Sequence, residues 1–267
     1  MTQTPLLFDH LTLNARDELD PCCAALEGMG FALTPPSYSN IGAVNRCVVL
    51  EGAYLEVIAI NPRAAPPRRE LMQQPLGLNA IVFRAENADS CYASLIEQGF
   101  PALPVQPFSR RAQNSLGEEH EVSFRVVRFE PTWAADAFPF GRVYFCEHRN
   151  AEVVFDPGHV RHRNGCRVFS ALTIEVKSLA KLSSTMSLLF GSAWSGNNSH
   201  ATLQTQALDI HFVQASRDRI ASCSFSFSSG AGDWDASGRS GGPQVAALDP
   251  RTPQVFENPY GRFSLQI

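Results

Sequence analysis

The segment that opens with Asp9-His10-Leu11-Thr12-Leu13 is written a second time 69 positions later, as Leu78-Asn79-Ala80-Ile81-Val82, and the register then holds without a gap. Asp17 falls over Glu86, Asp20 over Asp89, Cys22 over Cys91, Ala24 over Ala93, Leu26 over Leu95, and Gly30-Phe31 over Gly99-Phe100. Scattered identities arise by chance; the same succession of apolar strand, amphipathic helix and Gly-Phe exit rarely does. Such a repeat constrains the architecture before any single residue can, because each copy is one supersecondary unit that must bury its apolar face against a neighbour.

Each copy follows the same grammar. Leu6 to Asn14 is apolar or small at every second position and reads as a strand. Asp17 and Asp20 place negative charge where a helix begins, and Pro21 is tolerated in its first turn. Cys22, Cys23, Ala25, Leu26 and Met29 form the apolar stripe, and Gly30 closes the helix as a left-handed cap. In the second copy the strand is Gly77 to Arg84, the helix Ala88 to Gln98 and the closing residue Gly99. Three strands follow each helix: Phe31–Thr34, Arg46–Leu50 and Tyr54–Ile60 in the first, and Ala102–Val105, Val122–Phe129 and Arg142–Glu147 in the second.

A third copy has its first strand at Phe169–Val176, its helix at Leu179–Phe190 ended by Gly191, and strands at Ala201–Thr205 and Leu208–Val213. A fourth is visible only in outline, with Ile220–Phe227 as first strand and Arg262–Ile267 as last. The Gly-, Ser- and Asp-rich stretch Ser228–Gly242 between them lacks helical periodicity and is expected to be a long, poorly ordered loop. The expected fold is α+β: four βαβββ units, the last degenerate, forming two paired-unit curved sheets or half-barrels with helices outside. The first half would span residues 1–150, with units 6–62 and 76–149. The second would span 151–267, with units 166–215 and 219–267.

At 267 residues and 44% hydrophobic, the chain can bury a substantial core. A net charge of −4 offers no electrostatic footprint for nucleic acid or an anionic membrane. No basic, apolar leader or bilayer-length apolar run is evident, so a cytoplasmic location is expected. The seven Cys, at 22, 23, 47, 91, 146, 166 and 223, are odd in number and lack CxxC spacing. They read as reduced, mostly buried thiols.

Strand parity selects a candidate site. Phe8, His10 and Thr12 share one face, while Leu11 and Leu13 share the face that the helix should cover, which leaves His10 on the concave side. Glu56 lies on the last strand of the same unit, with Tyr54 and Ile58 on its face. A neutral imidazole meeting a carboxylate in a cup suits a divalent ion such as Zn, Fe, Mn or Ni. The alternative is a metal-free pairing of Glu56 with Arg46 on the neighbouring strand. Asn45 and Arg46 could bind a substrate carboxylate or phosphoryl group, or staple two strands.

In the second unit, Asn79 stands opposite His10 and is a weak ligand at best. Cys146 or His148 falls near the position of Glu56, and His148 is the third ligand by residue type. In the later units Ala171 opposes His10 and Gln266 stands where a Glu is expected, which disfavours a second metal site. His159 and His162 are expected to be solvated in the linker between halves, and the run Arg63–Glu70 to be the solvated linker between the first two units. Trp133, Phe138 and Phe140 read as an aromatic loop that lids a pocket or covers a sheet edge.

Phe8-Asp9-His10-Leu11, Gly42-Ala43-Val44-Asn45-Arg46-Cys47 and Tyr54-Leu55-Glu56, set in repeated βαβββ units, resemble the vicinal oxygen chelate superfamily, and within it the glyoxalase-like domain proteins. Tyr144-Phe145-Cys146-Glu147-His148 and His162-Arg163-Asn164-Gly165 look like the Phe-Cys-x-His and His-Pro-Asn-Gly signatures of that branch, with Arg163 in place of the usual Pro. The resemblance covers roughly residues 6 to 215. It implies a protein that binds a small oxygenated organic molecule in its cup. The enzyme form would be a divalent-metal-dependent lyase, isomerase or dioxygenase, in which the ion chelates two adjacent substrate oxygens. His10, Glu56 and His148 would be the ligands, Glu56 and His148 the catalytic groups, and Asn45, Arg46, Tyr54 and Asn79 the substrate contacts. The rival form is a metal-free binding or sequestering protein without catalysis. No organic cofactor is indicated, and a homodimer is left open.

Overall fold

A computed structural model describes residues 6–227 and 254–265. The first unit is β1 (Phe8–Arg16), α1 (Leu19–Gly28), β2 (Ser37–Ser39), β3 (Ala43–Val49) and β4 (Tyr54–Ile60). A short helix α2 (Glu70–Gln73) leads to the second: β5 (Gly77–Arg84), α3 (Ala88–Glu97), β6 (Gln106–Gln113), β7 (Glu119–Val127), α4 (Pro131–Ala137) and β8 (Arg142–His148). After α5 (Ala151–Val154) come β9 (Val168–Val176), α6 (Leu179–Phe190), β10 (Trp194–Gly196), β11 (His200–Gln204), β12 (Asp209–Gln214) and β13 (Arg219–Ser226), then β14 (Gln254–Asn258) and β15 (Gly261–Leu265). Adding 69 to the bounds of α1 gives those of α3. Gly30, Gly99 and Gly191 end their helices at φ of +87°, +81° and +56°, a region that costs an L side chain strain.

The first strands of paired units are neighbours. β1 runs antiparallel to β5 and parallel to β4, and β5 runs parallel to β8. The eight strands close completely, in the order β1-β4-β3-β2-β6-β7-β8-β5, so the expected first half-barrel is a full barrel. An eight-stranded barrel has an interior about wide enough for side chains or one small ligand. The second half repeats the joint: β9 is antiparallel to β13 and parallel to β12, and β13 is parallel to β15. This seven-stranded sheet, ordered β10-β11-β12-β9-β13-β15-β14, stays open. The stretch Ser228–Gly242 and Gln266 lie outside the described residues.

Several expected elements fall elsewhere. Phe31–Thr34 and Ala102–Val105 form no strand beyond a single bridge from Ala102 to Phe129. Pro35, Pro36, Pro101 and Pro104 lack the N–H groups a ladder needs. The apolar character of both stretches comes instead from Phe31 and Phe100, which plug the core. The aromatic stretch before β8 contains α4, capped by Glu130, whose carboxylate accepts from the backbone N–H groups of Thr132 and Trp133.

Two apolar layers result. Outside the barrel, Leu11, Leu13, Cys22, Leu26, Leu55 and Val57 join Phe169, Ile174, Phe225 and Phe263 of the second sheet in one continuous core. Inside it, Cys47, Val49, Tyr54, Ala80, Val82, Phe124, Tyr144 and Cys146 form a second cluster. Phe8 belongs to the outer core, edge-on to Phe169 at 5.4 Å, because the register of β1 against β5 shifts between Phe8 and His10. All seven Cys are free thiols, and only Cys91 is less than fully buried. No helix among the described residues is long and apolar enough to cross a membrane.

His162 departs from its expected solvated place. It is buried; Nδ1 accepts from the Ala32 N–H at 3.1 Å and Nε2 donates to the Val49 carbonyl at 2.9 Å. Asn164 donates to the Met29 carbonyl. The His-Arg-Asn-Gly motif thus pins the end of α1 to the segment between the halves.

Candidate active site

β1 and β4 are hydrogen-bonded neighbours with His10 opposite Tyr54, so Glu56 sits one inward position further along. The imidazole of His10 stacks on the Tyr54 ring, with centroids 4.4 Å apart. Its Nδ1 lies 2.7 Å from Asp9 Oδ2, and its Nε2 faces the barrel interior, 3.9 Å from Glu56 Oε2 and 3.5 Å from the Tyr144 hydroxyl. The carboxylate beside Nδ1 accepts the proton carried there and holds the ring so that Nε2 faces Glu56. Glu56 Oε1 accepts from Asn45 Nδ2 at 2.6 Å.

Asp9 is the hub behind this pair. It is fully buried and accepts from Arg84 Nε at 2.8 Å and from His148 Nε2 at 2.8 Å, besides His10. Burial alone would raise its carboxyl pKa; the charges and hydrogen bonds of His148 and His10 outweigh that and hold it well below the usual range.

The lumen around Glu56 is a cavity of ≈ 30 Å³. His10, Asn45, Tyr54, Glu56 and Tyr144 line it, with Arg68, Arg110, Arg128 and Arg142. Burial, and next the charge of Glu56, raises the Tyr144 phenol, which stays protonated.

The structure therefore brings together His10, Glu56, Asn45 and Tyr54. His148 points inward from β8 while Glu147 faces α3, where it accepts from the Ala88 N–H. His148 reaches the group only through Asp9, and is packed against Phe124 and Phe155. Asn79 is held by Arg142 Nε at 2.9 Å, away from His10. Arg46 lies on the outer face, bonded to the Thr34 carbonyl and 3.1 Å from Glu27. Its expected pairing with Glu56 is replaced by that of Asn45, because alternate residues of β3 face opposite sides. Arg68, expected to be solvated, lines the lumen.

The Asp9, Arg110, Arg128, Arg142 and Tyr144 roles were not foreseen. Tyr144 and Arg142 stand two and four positions before Cys146 on one strand, so alternation is the signal that could have found them. Asp9 could not be found that way, because adjacent residues on a regular strand face apart and only the irregular register of β1 lets Asp9 and His10 meet.

Two donor groups bear on metal binding. Ligand atoms of Asp9, Cys146 and His148 lie within 4.8 Å of one another. Both Asp9 oxygens are already hydrogen-bonded, and burial pushes the Cys146 thiol well above its ordinary range. An ion there would have to displace Arg84 or an imidazole. The His10–Glu56 pair fits better. A separation of 3.9 Å suits two ligands of one ion whose bonds are each about 2.0–2.2 Å. A carboxylate behind the ligating imidazole is the usual support for such a ligand.

The whole architecture recurs in a hypothetical protein from Staphylococcus aureus, with a TM-score of 0.70 at 10% identity over 98% of this chain and 99% of that one. A mutant of 4-hydroxymandelate synthase from Streptomyces coelicolor aligns over 84% of this chain and 71% of its own, with a TM-score of 0.47 and 10% identity. A methylmalonyl-CoA epimerase from Streptomyces coelicolor aligns over 55% of this chain and 99% of its own, with a TM-score of 0.40 and 16% identity. No curated protein matches the sequence. The glyoxalase-like domain matches residues 8–190, which takes in the whole barrel, the His162 clamp and the first strand and helix of the second sheet, and the chain belongs to that family.

Proposed function

We propose that the chain is an enzyme acting on a small oxygenated organic molecule inside the barrel, with a divalent ion held by His10 and Glu56. The observation that carries this reading is the approach of His10 Nε2 and Glu56 Oε2 to 3.9 Å in the lumen, with Asp9 fixed behind the imidazole. The imidazole is held by Asp9 so that its second nitrogen meets a carboxylate in the lumen, the pairing of donor types that a divalent ion uses. A bound ion would supply Lewis-acid polarisation of a substrate oxygen.

The chain's own groups supply the rest. Asp9 keeps the Nδ1 proton of His10 on the outer side. Asn45 holds Oε1 of Glu56 and leaves Oε2 turned towards His10 and the lumen. Glu56 is the only carboxylate among the described residues lining the lumen, and so is the group available to accept a substrate proton there. The protonated Tyr144 hydroxyl is positioned to donate to an oxygen on which negative charge develops. His148 positions Asp9 and through it His10. This set suits an isomerase or lyase that moves a proton beside a carbonyl.

The test is metal content by plasma mass spectrometry of untagged protein, followed by titration of Zn, Mn, Ni and Fe(II) into chelator-treated wild type, His10→Ala and Glu56→Gln. About one ion per chain is expected in the wild type, with affinity lost in both variants. Absence of any affinity in the wild type, or full retention in His10→Ala, would sink the reading.

A further inference from the structure

Of the four guanidiniums lining the lumen, only Arg68 is ion-paired among the described residues, to Glu70 at 2.7 Å. Arg110 is buried and donates to the Ser37 hydroxyl at 2.9 Å. Arg128 donates to the side-chain oxygen of Gln106. Arg142 spends Nε on Asn79, while its Nη2 is buried with no partner. Arg128 and Arg142 both lie over the Tyr144 ring, at 5.6 and 6.0 Å from its centroid. Burying unpaired like charges side by side is costly, and the cost falls when an anion enters. Burial pushes the Arg142 guanidinium down to about 10, and neighbouring Arg68 and Arg128 press in the same direction.

These side chains sit at a junction. Arg68, Arg128, Arg142 and Tyr144 line the lumen and also a groove of ≈ 1530 Å³ between the barrel and the second sheet. That groove is walled by Leu78, Leu103, Phe129, Phe138 and Phe140. The lumen admits a group of a few atoms; the groove accepts an apolar body.

We infer that the ligand of the barrel is an organic carboxylate, its acid group held at the neck by Arg142 and Arg128 and its apolar body lying in the groove. The inference rests on the reading of the lumen as the active site and gives that site its substrate class. A planar carboxylate matches the open fork of Arg142, whose free Nη2 and neighbouring Arg128 present N–H groups to two oxygens. One carboxylate shared between Arg128 and Arg142 offsets one of the two charges at the neck without filling the space beside Glu56.

Calorimetric titration of hexanoate, hexanamide and inorganic phosphate into intact, chelator-treated protein tests this. Hexanoate should bind at least tenfold more tightly than hexanamide, and more tightly than phosphate. Arg142→Gln should erase most of that preference. Arg128→Gln, in a separate protein, gives the same reading should the first variant fail to fold. Equal affinity for acid and amide, a preference for phosphate, or a hexanoate preference untouched by the folded variants would overturn the inference. Zn titration of the same preparations reports separately on His10 and Glu56, so loss of one reading is distinguishable from loss of the other.

Discussion

Replacing Asp9 with Asn probes fold and site at once. The carboxylate is fully buried and accepts from three side chains, His10 at 2.7 Å, His148 at 2.8 Å and Arg84 at 2.8 Å. An amide keeps one acceptor oxygen and turns an NH₂ towards groups that are themselves donors. Hydrogen bonds to a charged group contribute about 1.5–3 kcal/mol each. The Arg84 share is discounted because that side chain is 29% exposed. Removing one member of a buried charged set costs about 3–5 kcal/mol, and that is the expected loss for Asp9→Asn at pH 7. Urea unfolding with an unchanged m-value measures it. The pH dependence has a definite sign. The folded carboxyl pKa is depressed below its ordinary 3.8, so its stabilisation is present above that value and drains away as pH falls below it. The gap between wild type and variant should therefore be full at neutral pH and shrink below about pH 4. Release of the His10 tautomer should also weaken metal affinity by about 10–100-fold. A loss under about 1 kcal/mol, a gap that widens in acid, or unaltered metal affinity would refute the hub role of Asp9.

Three further outcomes are expected. Burial depresses the His162 imidazole below its ordinary 6.5, outweighing its bond to the Val49 carbonyl, so stability should fall as pH drops through that value, by up to about 1.4 kcal/mol per pH unit. The melting temperature followed from pH 7.5 to 5.5 should show this slope, and His162→Gln should flatten it. Phe225 packs on Phe31 at 4.7 Å and Phe169 at 5.0 Å, bridging barrel and second sheet. Phe225→Ala should cost about 3–5 kcal/mol and lower the melting temperature by roughly 10 °C in a single transition, whereas two separate transitions would contradict a shared core. Gly30 and Gly99 have similar positive φ, but a Cβ at Gly30 would lie 3.0 Å from Asn164 Cβ while one at Gly99 meets nothing within 4 Å. Gly30→Ala should therefore destabilise clearly more than Gly99→Ala, the latter by about 1–2 kcal/mol; equal losses in denaturant unfolding would refute the clamp.

What the sequence could disclose was whatever repeats or alternates. The 69-residue offset carries α1 onto α3 residue for residue, since a helix face and its glycine exit leave marks at fixed spacing. Parity on β4 placed Glu56 and Tyr54 on one face for the same reason. Three kinds of information leave no such mark. A register shift does not, and so Phe8 turned out to belong to the outer core and Asp9 to the site. Closure does not, because the pairing of β2 with β6 joins segments far apart in the chain. Partner choice does not either: Glu56 is satisfied by Asn45 while Arg46, one residue away, reaches Glu27 on α1. The guanidiniums combine all three limits. Arg110, Arg128 and Arg142 come from β6, the residue just past β7 and the start of β8, and in separate segments each reads as an ordinary polar residue. Only closure of the barrel sets them around one small space. Only the full set of partners shows that, among the described residues, none of the three has a carboxylate. What the closed barrel leaves unpaired is thus displayed by no single strand.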